Sequence, residues 1–291
     1  INVQNNSALV GGKDVQLKAG SDLTLTGSHV AATDSITAAA GGNIELNAVK
    51  DRTMQDAEVG HRGGFYYNRV MTDDEKVQGS SMSAGKDISL QSGQDINITS
   101  SNIASEKGKV TASAAGEINL STMTEHHESI KEEHKKKIGF LSSKTTDIYD
   151  AKAADFNVGS NISGGSVDLT SGKDTNITAS NVVADNDVNI TAGGNVNITA
   201  AEDTSSSTYK KQVKKSGLLS GGGFGFTIGK EKRKDQYDNQ NVEQVGSTVG
   251  SISGNVNVEA GKDINVSASD VLAGKDINLT GQNVTIESAD N

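Results

Sequence analysis

The stretch GKDINVSASDVLAGKDINLTGQNVTIESADN, residues 261–291, contains the five letters GKDIN twice, at 261–265 and 274–278. In both copies a Gly and an Asp precede apolar residues spaced two apart, which places those apolar side chains on one side of a β-strand. Gly tolerates the positive φ angles of tight turns, and Asp hydrogen-bonds the turn backbone. The stretch therefore predicts a turn followed by a short strand, and it predicts that this unit is reused.

The same unit, a Gly-x-Asp/Asn turn followed by alternating apolar residues, recurs along the whole chain. Two copies lie eight residues apart, as at Asp14 and Asp22 or at Asp87 and Asp95. A third segment, such as TGSHVAA or SASDVLA, completes a period of about 21 residues. A fixed period of this size without helical segments predicts an all-β solenoid, a parallel β-helix of about eight three-strand coils.

Asn, Thr or Ser alternates with the apolar residues and points away from the interior. The outward Asn side chains either stack in polar ladders or are simply solvated, and the solvated interpretation is preferred. Examples are Asn97, Asn119, Asn189, Asn257 and Asn265.

The repeat is interrupted three times, after the second strand of every other coil. The excursions cover about 49–77, 122–157 and 200–249, and the chain returns at GSSMSA (79), GSNISG (159) and GSISG (250). They contain all five Phe and five Tyr residues and most of the Lys and Arg residues, so the coils carry the net charge of −10. We expect one β-helical segment over 1–291, a fragment of a longer chain, with the excursions in a row on one flank.

Each excursion has a Gly-rich centre between two charged arms, which favours a long antiparallel hairpin. The segment 124–137 has an alternative as a helix, with Glu132 and Lys136 one turn apart. The arms either pack together as a second layer or present a surface for a partner or a membrane. The candidate contact residues are Phe65, Tyr66, Tyr67, Phe140, Leu141, Leu218, Leu219, Phe224 and Phe226.

No residue pattern predicts catalysis, a cofactor or a metal. His126, His127 and His134 would form a weak metal site only if their arm were helical, and solvated side chains explain them better. The single Asp of each turn is explained by turn stabilisation, because the calcium-binding nonapeptide is absent. The segment 220–230 lacks the phosphate-loop spacing. The charge of −10 argues against general nucleic-acid binding, and no apolar run reaches the length of a membrane span.

The AGKDINLTGQNVTI type of coil, together with KKSGLLSGGGFGFTIGKEKRKD, resembles the second-type haemagglutinin repeats of filamentous-haemagglutinin/CdiA-like two-partner-secretion exoproteins. The resemblance implies a right-handed parallel β-helix, secreted through an outer-membrane transporter and displayed on the bacterial cell surface. It also implies a non-enzymatic segment of a contact-dependent growth inhibition effector, which helps carry a C-terminal toxin across the target-cell outer membrane. The partners would be that membrane or its proteins, with no nucleic acid. The alternative is an adhesin stalk whose hairpins bind glycans or a host surface.

Overall fold

The computed structural model describes residues 7–62, 64–220 and 226–289. Each coil of the chain gives one strand to each of three parallel, eight-stranded sheets. A β-strand pairs with the strand 20 to 22 positions later wherever no excursion intervenes, as in the pair of Val15 with Ile36. The predicted fold class is confirmed: the described chain is all-β, and three parallel sheets stack as a parallel β-helix with antiparallel hairpins attached.

The three sheets are named after the order of strands in the repeat, and their strands are numbered along the chain. The first sheet contains β2 (Val15–Ala19), β5 (Ile36–Ala40), β10 (Ile88–Ser92), β13 (Lys109–Ala114), β18 (Ser166–Ser171), β21 (Val188–Ala192), β26 (Val256–Ala260) and β29 (Ile277–Thr280). The second contains β3 (Leu23–Thr26), β6 (Ile44–Asn47), β11 (Ile96–Thr99), β14 (Ile118–Ser121), β19 (Thr175–Thr178), β22 (Val196–Thr199), β27 (Asp263–Ser267) and β30 (Asn283–Glu287). The third contains β1 (Ser7–Gly11), β4 (Ser28–Ala32), β9 (Ser81–Ala84), β12 (Asn102–Ser105), β17 (Asn161–Gly164), β20 (Asn181–Ala184), β25 (Thr248–Ser251) and β28 (Asp270–Ala273).

The interior of the coils is filled by Val, Ile, Leu and Ala side chains that alternate with outward polar residues. Ile88 and Leu90 are fully buried, and their cross-strand neighbours Val110 and Ala112 are buried beside them. No described aromatic side chain belongs to this core cluster. The rod is therefore stabilised by stacked aliphatic residues and by backbone pairing between coils, since each coil contacts only its neighbours.

The turn Asp residues are hydrogen-bonded to the next coil. The Asp22 carboxylate accepts the backbone N–H of Asn43 at 2.8 Å, and Asp174 accepts that of Asn195 at 2.7 Å. A Cβ on Gly194 would lie 1.9 Å from this Asp174 oxygen, so Gly is required there. This contact explains why a Gly recurs opposite the turn Asp of the preceding coil, as at Gly42 and Gly116.

The outward Asn residues form hydrogen-bonded ladders, and the preferred interpretation that they are simply solvated is wrong. The amide of Asn119 donates to Asn97 at 3.0 Å and accepts from Asn176 at 2.8 Å. Asn257 likewise donates to Asn189 at 2.9 Å. Parallel in-register pairing places identical side chains one strand spacing apart, which is within hydrogen-bond reach of an amide.

The three excursions form one further sheet of six antiparallel strands, which we call the hairpin sheet. Its order is β24-β23-β16-β15-β8-β7. The first hairpin is β7 (Val49–Gly60) and β8 (Tyr66–Gln78), the second is β15 (Met123–Gly139) and β16 (Ser142–Val158), and the third is β23 (Ala201–Ser220) and β24 (Phe226–Val245). The third hairpin ends at Val245, and the chain returns at Gly246 rather than at Gly250, since β25 begins at Thr248.

Candidate functional site: the hairpin sheet

The hairpins leave the rod at the corner between the second and third sheets. In coils without a hairpin, a single residue with positive φ turns this corner: Gly27 (52°), Ser100 (45°), Ala179 (42°) or Ala268 (44°). In the alternate coils a whole hairpin stands in place of that residue. The entry and exit of each hairpin are therefore neighbours in space, and the coils on either side keep their register.

A ladder of seven Ser residues, the inner five of them buried, runs up this corner and anchors the hairpin bases. Each Ser follows the corner residue or the returning Gly, and its backbone N–H donates to the Ser hydroxyl of the next coil. The Ser160 hydroxyl lies 2.8 Å from the Ile98 carbonyl and accepts the N–H of Ser101 at 3.3 Å. The full ladder is Ser28, Ser80, Ser101, Ser160, Ser180, Ser247 and Ser269. This ladder is not among the predicted features, although the sequence has a visible signal for it: a Ser lies two residues after the second strand or directly after the returning Gly.

The hairpins join edge to edge because two spacings agree. Hairpins leave every second coil, so successive hairpins start two coil spacings apart, or about 9.6 Å. Each hairpin is two strands wide, which is also about 9.6 Å, because coils and paired strands are both spaced by about 4.8 Å. The second strand of each hairpin then pairs with the first strand of the next, as in β8 with β15 and β16 with β23. The preferred hairpin interpretation of 124–137 is confirmed, and the helical alternative is wrong.

Ion pairs hold the first hairpin together near the rod. Arg52 forms two hydrogen bonds with the nearly buried Asp73 carboxylate, and Lys50 contacts Glu75 at 2.8 Å. The Arg52 guanidinium lowers the pKa of Asp73, and the Lys50 ammonium lowers the pKa of Glu75. Both carboxylates therefore stay ionised across the neutral range, which keeps these pairs intact.

The three His residues of β15 each face an Asp on a neighbouring strand. His126 lies 2.7 Å from Asp155, and this hydrogen bond raises the pKa of His126. His127 lies 3.2 Å from Asp74 of the first hairpin. On a strand, residues an odd number apart point to opposite faces, so His127 and His134 do not share a site. Within the described ranges, no group of three or more His, Asp or Glu residues is arranged to hold a metal ion.

The candidate contact residues are divided between exposed and enclosed positions. Phe65 and Tyr66 are exposed, but Tyr67 is only 4% exposed, because it lies under Arg62 and beside Glu132. Phe140 and Leu141 lie in the turn of the second hairpin. Leu218 and Leu219 are in β23 and Phe226 begins β24, while Phe224 lies outside the described residues.

The tip of the second hairpin is the most exposed apolar part of the described chain. Phe140 is 98% exposed, and Leu141 and Ile138 are 60% and 61% exposed. The cations that flank this tip are Lys135, Lys136, Lys137 and Lys144. Exposed apolar side chains flanked by several lysines are favourable at the boundary between water and an anionic lipid surface. The described part of the chain contains no apolar helix of membrane-spanning length.

Comparison with known proteins identifies the repeats. The family model described as "Hemagglutinin repeat" matches residues 2–60, 66–217 and 156–291. The chain is 34% identical over 153 residues to the tRNA nuclease CdiA of Escherichia coli O6:K15:H31, covering 51% of this chain and 5% of that protein. It is 43% identical over 91 residues to the deoxyribonuclease CdiA of Yersinia pseudotuberculosis serotype O:3, covering 31% of this chain and 8% of that protein.

The 16S rRNA endonuclease CdiA of Enterobacter cloacae is 33% identical over 151 residues, covering 51% of this chain and 4% of that protein. No solved structure matches the chain. The chain thus corresponds to less than a tenth of these relatives, and their nuclease names describe the whole proteins.

Haemagglutinin-repeat and CdiA proteins are secreted and displayed at the bacterial surface, which confirms the predicted localisation. Since the repeat model matches nearly every coil and hairpin described above, the chain belongs to the haemagglutinin-repeat family.

Proposed function

We propose that the chain is a non-enzymatic structural and delivery segment of a CdiA-type effector of contact-dependent growth inhibition. In this role the rod supplies reach, and the hairpin sheet contacts the target-cell outer membrane while a C-terminal toxin crosses it. An outer-membrane transporter of the two-partner type would export the parent protein. The similarity to three CdiA proteins supports the assignment to an effector.

The observation that carries the membrane contact is the exposed tip of the second hairpin. Ile138, Phe140 and Leu141 are all more than half exposed, and none of them belongs to the hydrophobic core cluster. Complete transfer of each such side chain out of water is favourable by about 1.5–3 kcal/mol of free energy. The neighbouring lysines add an attraction of about 1 kcal/mol each near an anionic surface. A projecting hairpin is the part of the molecule that can reach a membrane without bending the rod.

Replacing Phe140 and Leu141 by Ser in the parent effector tests this proposal. We expect toxin delivery to target cells to fall by about tenfold or more, since the apolar contribution is removed, while surface display stays unchanged. The matched control is Val59→Ser in the first hairpin, which changes an exposed apolar residue that has no flanking lysines. Normal delivery by the double variant, with equal display of both proteins, would contradict the proposal.

A further inference from the structure

One face of the hairpin sheet is uncovered. The hydrogen-bond register places one row of side chains across five strands: Asp74, His127, Ala154, Ser205 and Asn241. Side chains an even number of positions from this row point to the same side of the sheet, and we call that side the His127 face. No described side chain on the His127 face is buried. Since a sheet normally packs one face against a second layer, this face is a candidate for contact with a partner.

The middle of the His127 face carries a row of large apolar side chains, which we call the tyrosine row. Tyr209 and Tyr237 are directly paired across β23 and β24, and their ring centres are 6.3 Å apart. Tyr237 is 68% exposed, and Val70, which lies in the same row on β8, is also exposed. Tyr residues at the centre of a contact surface contribute strongly to binding, because each of them buries a large area.

The two sides of the tyrosine row differ in shape. Towards the rod, a groove of about 360 Å³ is lined by small side chains of β16 and β23, among them Ala154, Ser205 and Ser207. Towards the tip, the same two strands carry the larger side chains of Ile148 and Val213. The groove and the larger side chains lie two and four rows from the tyrosine row, on opposite sides of it. A second copy turned end for end would therefore place its Ile148 and Val213 over this groove.

The two halves of the His127 face also differ in charge. Towards the rod, two lysines, Lys76 and Lys152, share the face with five carboxylates: Asp51, Asp74, Glu125, Asp203 and Glu243. Towards the tip, three cations are paired on the face itself, namely Lys135 with Glu133, Lys215 with Glu231 and Arg233 with Asp235. Three further lysines give the tip half an excess of positive charge: Lys137, Lys144 and Lys211. The negative half of one copy thus matches the positive half of another.

We propose that the His127 face is a dimerisation surface, on which the hairpin sheet of a second copy packs face to face. The two copies are related by a two-fold axis along the tyrosine row. This operation lays the tip half of each copy over the rod-side half of the other, so that lysines face carboxylates and the tyrosines of both copies meet. Because the row runs in the direction in which successive hairpins leave the rod, the two rods lie side by side and point the same way. The inference does not depend on the delivery proposal.

The area of the His127 face is large enough for a stable dimer. Strands β15, β16, β23 and β24 share a continuous block of rows, formed by residues 125–137, 144–156, 203–215 and 231–243. At about 4.8 Å per strand and 3.4 Å per residue, this block covers about 800 Å². Specific complexes typically bury about 800 Å² on each partner. The opposite face is less suited, because ion pairs such as Arg52 with Asp73 occupy it.

Analytical ultracentrifugation of the 291-residue chain tests the inference. We expect a monomer–dimer equilibrium that shifts towards monomer as salt rises. Lys137→Glu with Lys144→Glu should weaken dimerisation by about tenfold or more, because it places carboxylates against carboxylates. The matched control, Lys136→Glu with Lys214→Glu, makes the same charge change one row away on the opposite face and should stay within about twofold. A chain that remains monomeric at every concentration, or equal weakening by both variants, would overturn the inference.

Cysteine cross-linking locates the contact, because the chain contains no Cys. Lys131 lies in the tyrosine row, so Lys131→Cys places two thiols next to each other at the two-fold axis. A bis-maleimide reagent that spans about 10 Å, the separation of packed sheets, should join them into a covalent dimer. Lys136→Cys, an exposed position of the same strand on the opposite face, is the control and should stay monomeric.

Cross-linking of both cysteine variants to the same extent would contradict the two-fold contact. Open-ended oligomers in the ultracentrifuge would contradict it as well, since end-to-end stacking of rods does not close. Circular dichroism of each variant establishes that the sheet is folded.

Discussion

At the scale of single residues, one Ser beside each corner connects neighbouring coils, and five of these seven Ser residues are buried. Ser160 is fully buried, and its hydroxyl connects the carbonyls of two second-sheet strands to the N–H of Ser101. Repeated Gly and Asp letters predict the turns, since their backbone requirements are local. The Ser ladder is not predicted by a local rule, because its partners are supplied by coils that lie 20 or more positions away.

Ser160→Ala tests the ladder. The substitution removes the donor to the Ile98 carbonyl and leaves the Ser101 N–H without its acceptor, so we expect a loss of about 1–3 kcal/mol in the free energy of unfolding. Urea denaturation measures it. Ser21→Ala, at an exposed turn position, is the control and should change the midpoint little. If the two variants lose the same stability, the ladder is not a source of stability.

At the scale of elements, the hairpins are predictable, but the way they join is not. The Gly-rich centres and charged arms indicate antiparallel hairpins within each excursion. Pairing between hairpins depends on the two-coil spacing, which only the stacked structure reveals. Tyr67 illustrates the difference. The sequence predicts it as an aromatic residue available for contact, yet it is buried and the neighbouring hairpin places Glu132 beside its hydroxyl. The site was therefore predicted as a set of arms, and the structure contains one continuous surface.

The pH dependence of the second hairpin follows from His126. Its pKa is raised by Asp155, so the stabilisation is fully present below the usual His value of about 6.5 and is lost as pH rises through the raised pKa. The lowered pKa values of Asp73 and Glu75 act in the other direction, and their stabilisation is lost only as pH falls below about 4. We expect the hairpin sheet to be most stable in mildly acidic solution.

Nuclear magnetic resonance titration of His126 provides the measurement. Asp155→Asn should return the pKa of His126 towards its ordinary value, whereas Asp74→Asn, which faces His127 instead, should leave it unchanged. The Asp155 variant should also show a smaller fall in unfolding midpoint between mildly acidic and mildly alkaline solution. An unaltered His126 titration in the Asp155 variant would contradict the assigned cause.

At the scale of the whole molecule, the rod and the hairpin sheet are two assemblies with different sources of stability. The rod depends on aliphatic stacking between neighbouring coils. The sheet depends on strand pairing between excursions whose paired residues are 49 to 75 positions apart in sequence. The period of the repeat made the rod predictable along its full length, because every coil solves the same burial problem.

Deleting residues 122–158 separates the two assemblies. The deletion joins Ser121 to Gly159, which copies the natural corner at Thr26, Gly27 and Ser28. We expect the rod to unfold cooperatively within a few degrees of the intact chain, because coil contacts are preserved. The first and third hairpins should become sensitive to protease, since β8 loses β15 and β23 loses β16, which leaves one edge of each strand unpaired.

Thermal melting followed by circular dichroism and limited proteolysis measure both effects. A deletion of equal length within the coils, residues 159–195, is the control and should abolish the transition, because it breaks the strand register. Loss of cooperative melting in the hairpin deletion would mean that the rod needs the hairpin sheet to fold.

The corner at which a hairpin replaces one left-handed residue has an evolutionary consequence. Because both ends of the excursion meet at the same point, additions or losses within it leave the rest of the scaffold undisturbed. The strands lengthen from 12 and 13 residues in the first hairpin to 17 in the second and 20 in the third. Lineages can therefore diversify these projections by indels or recombination at a rate that the coils themselves would not tolerate.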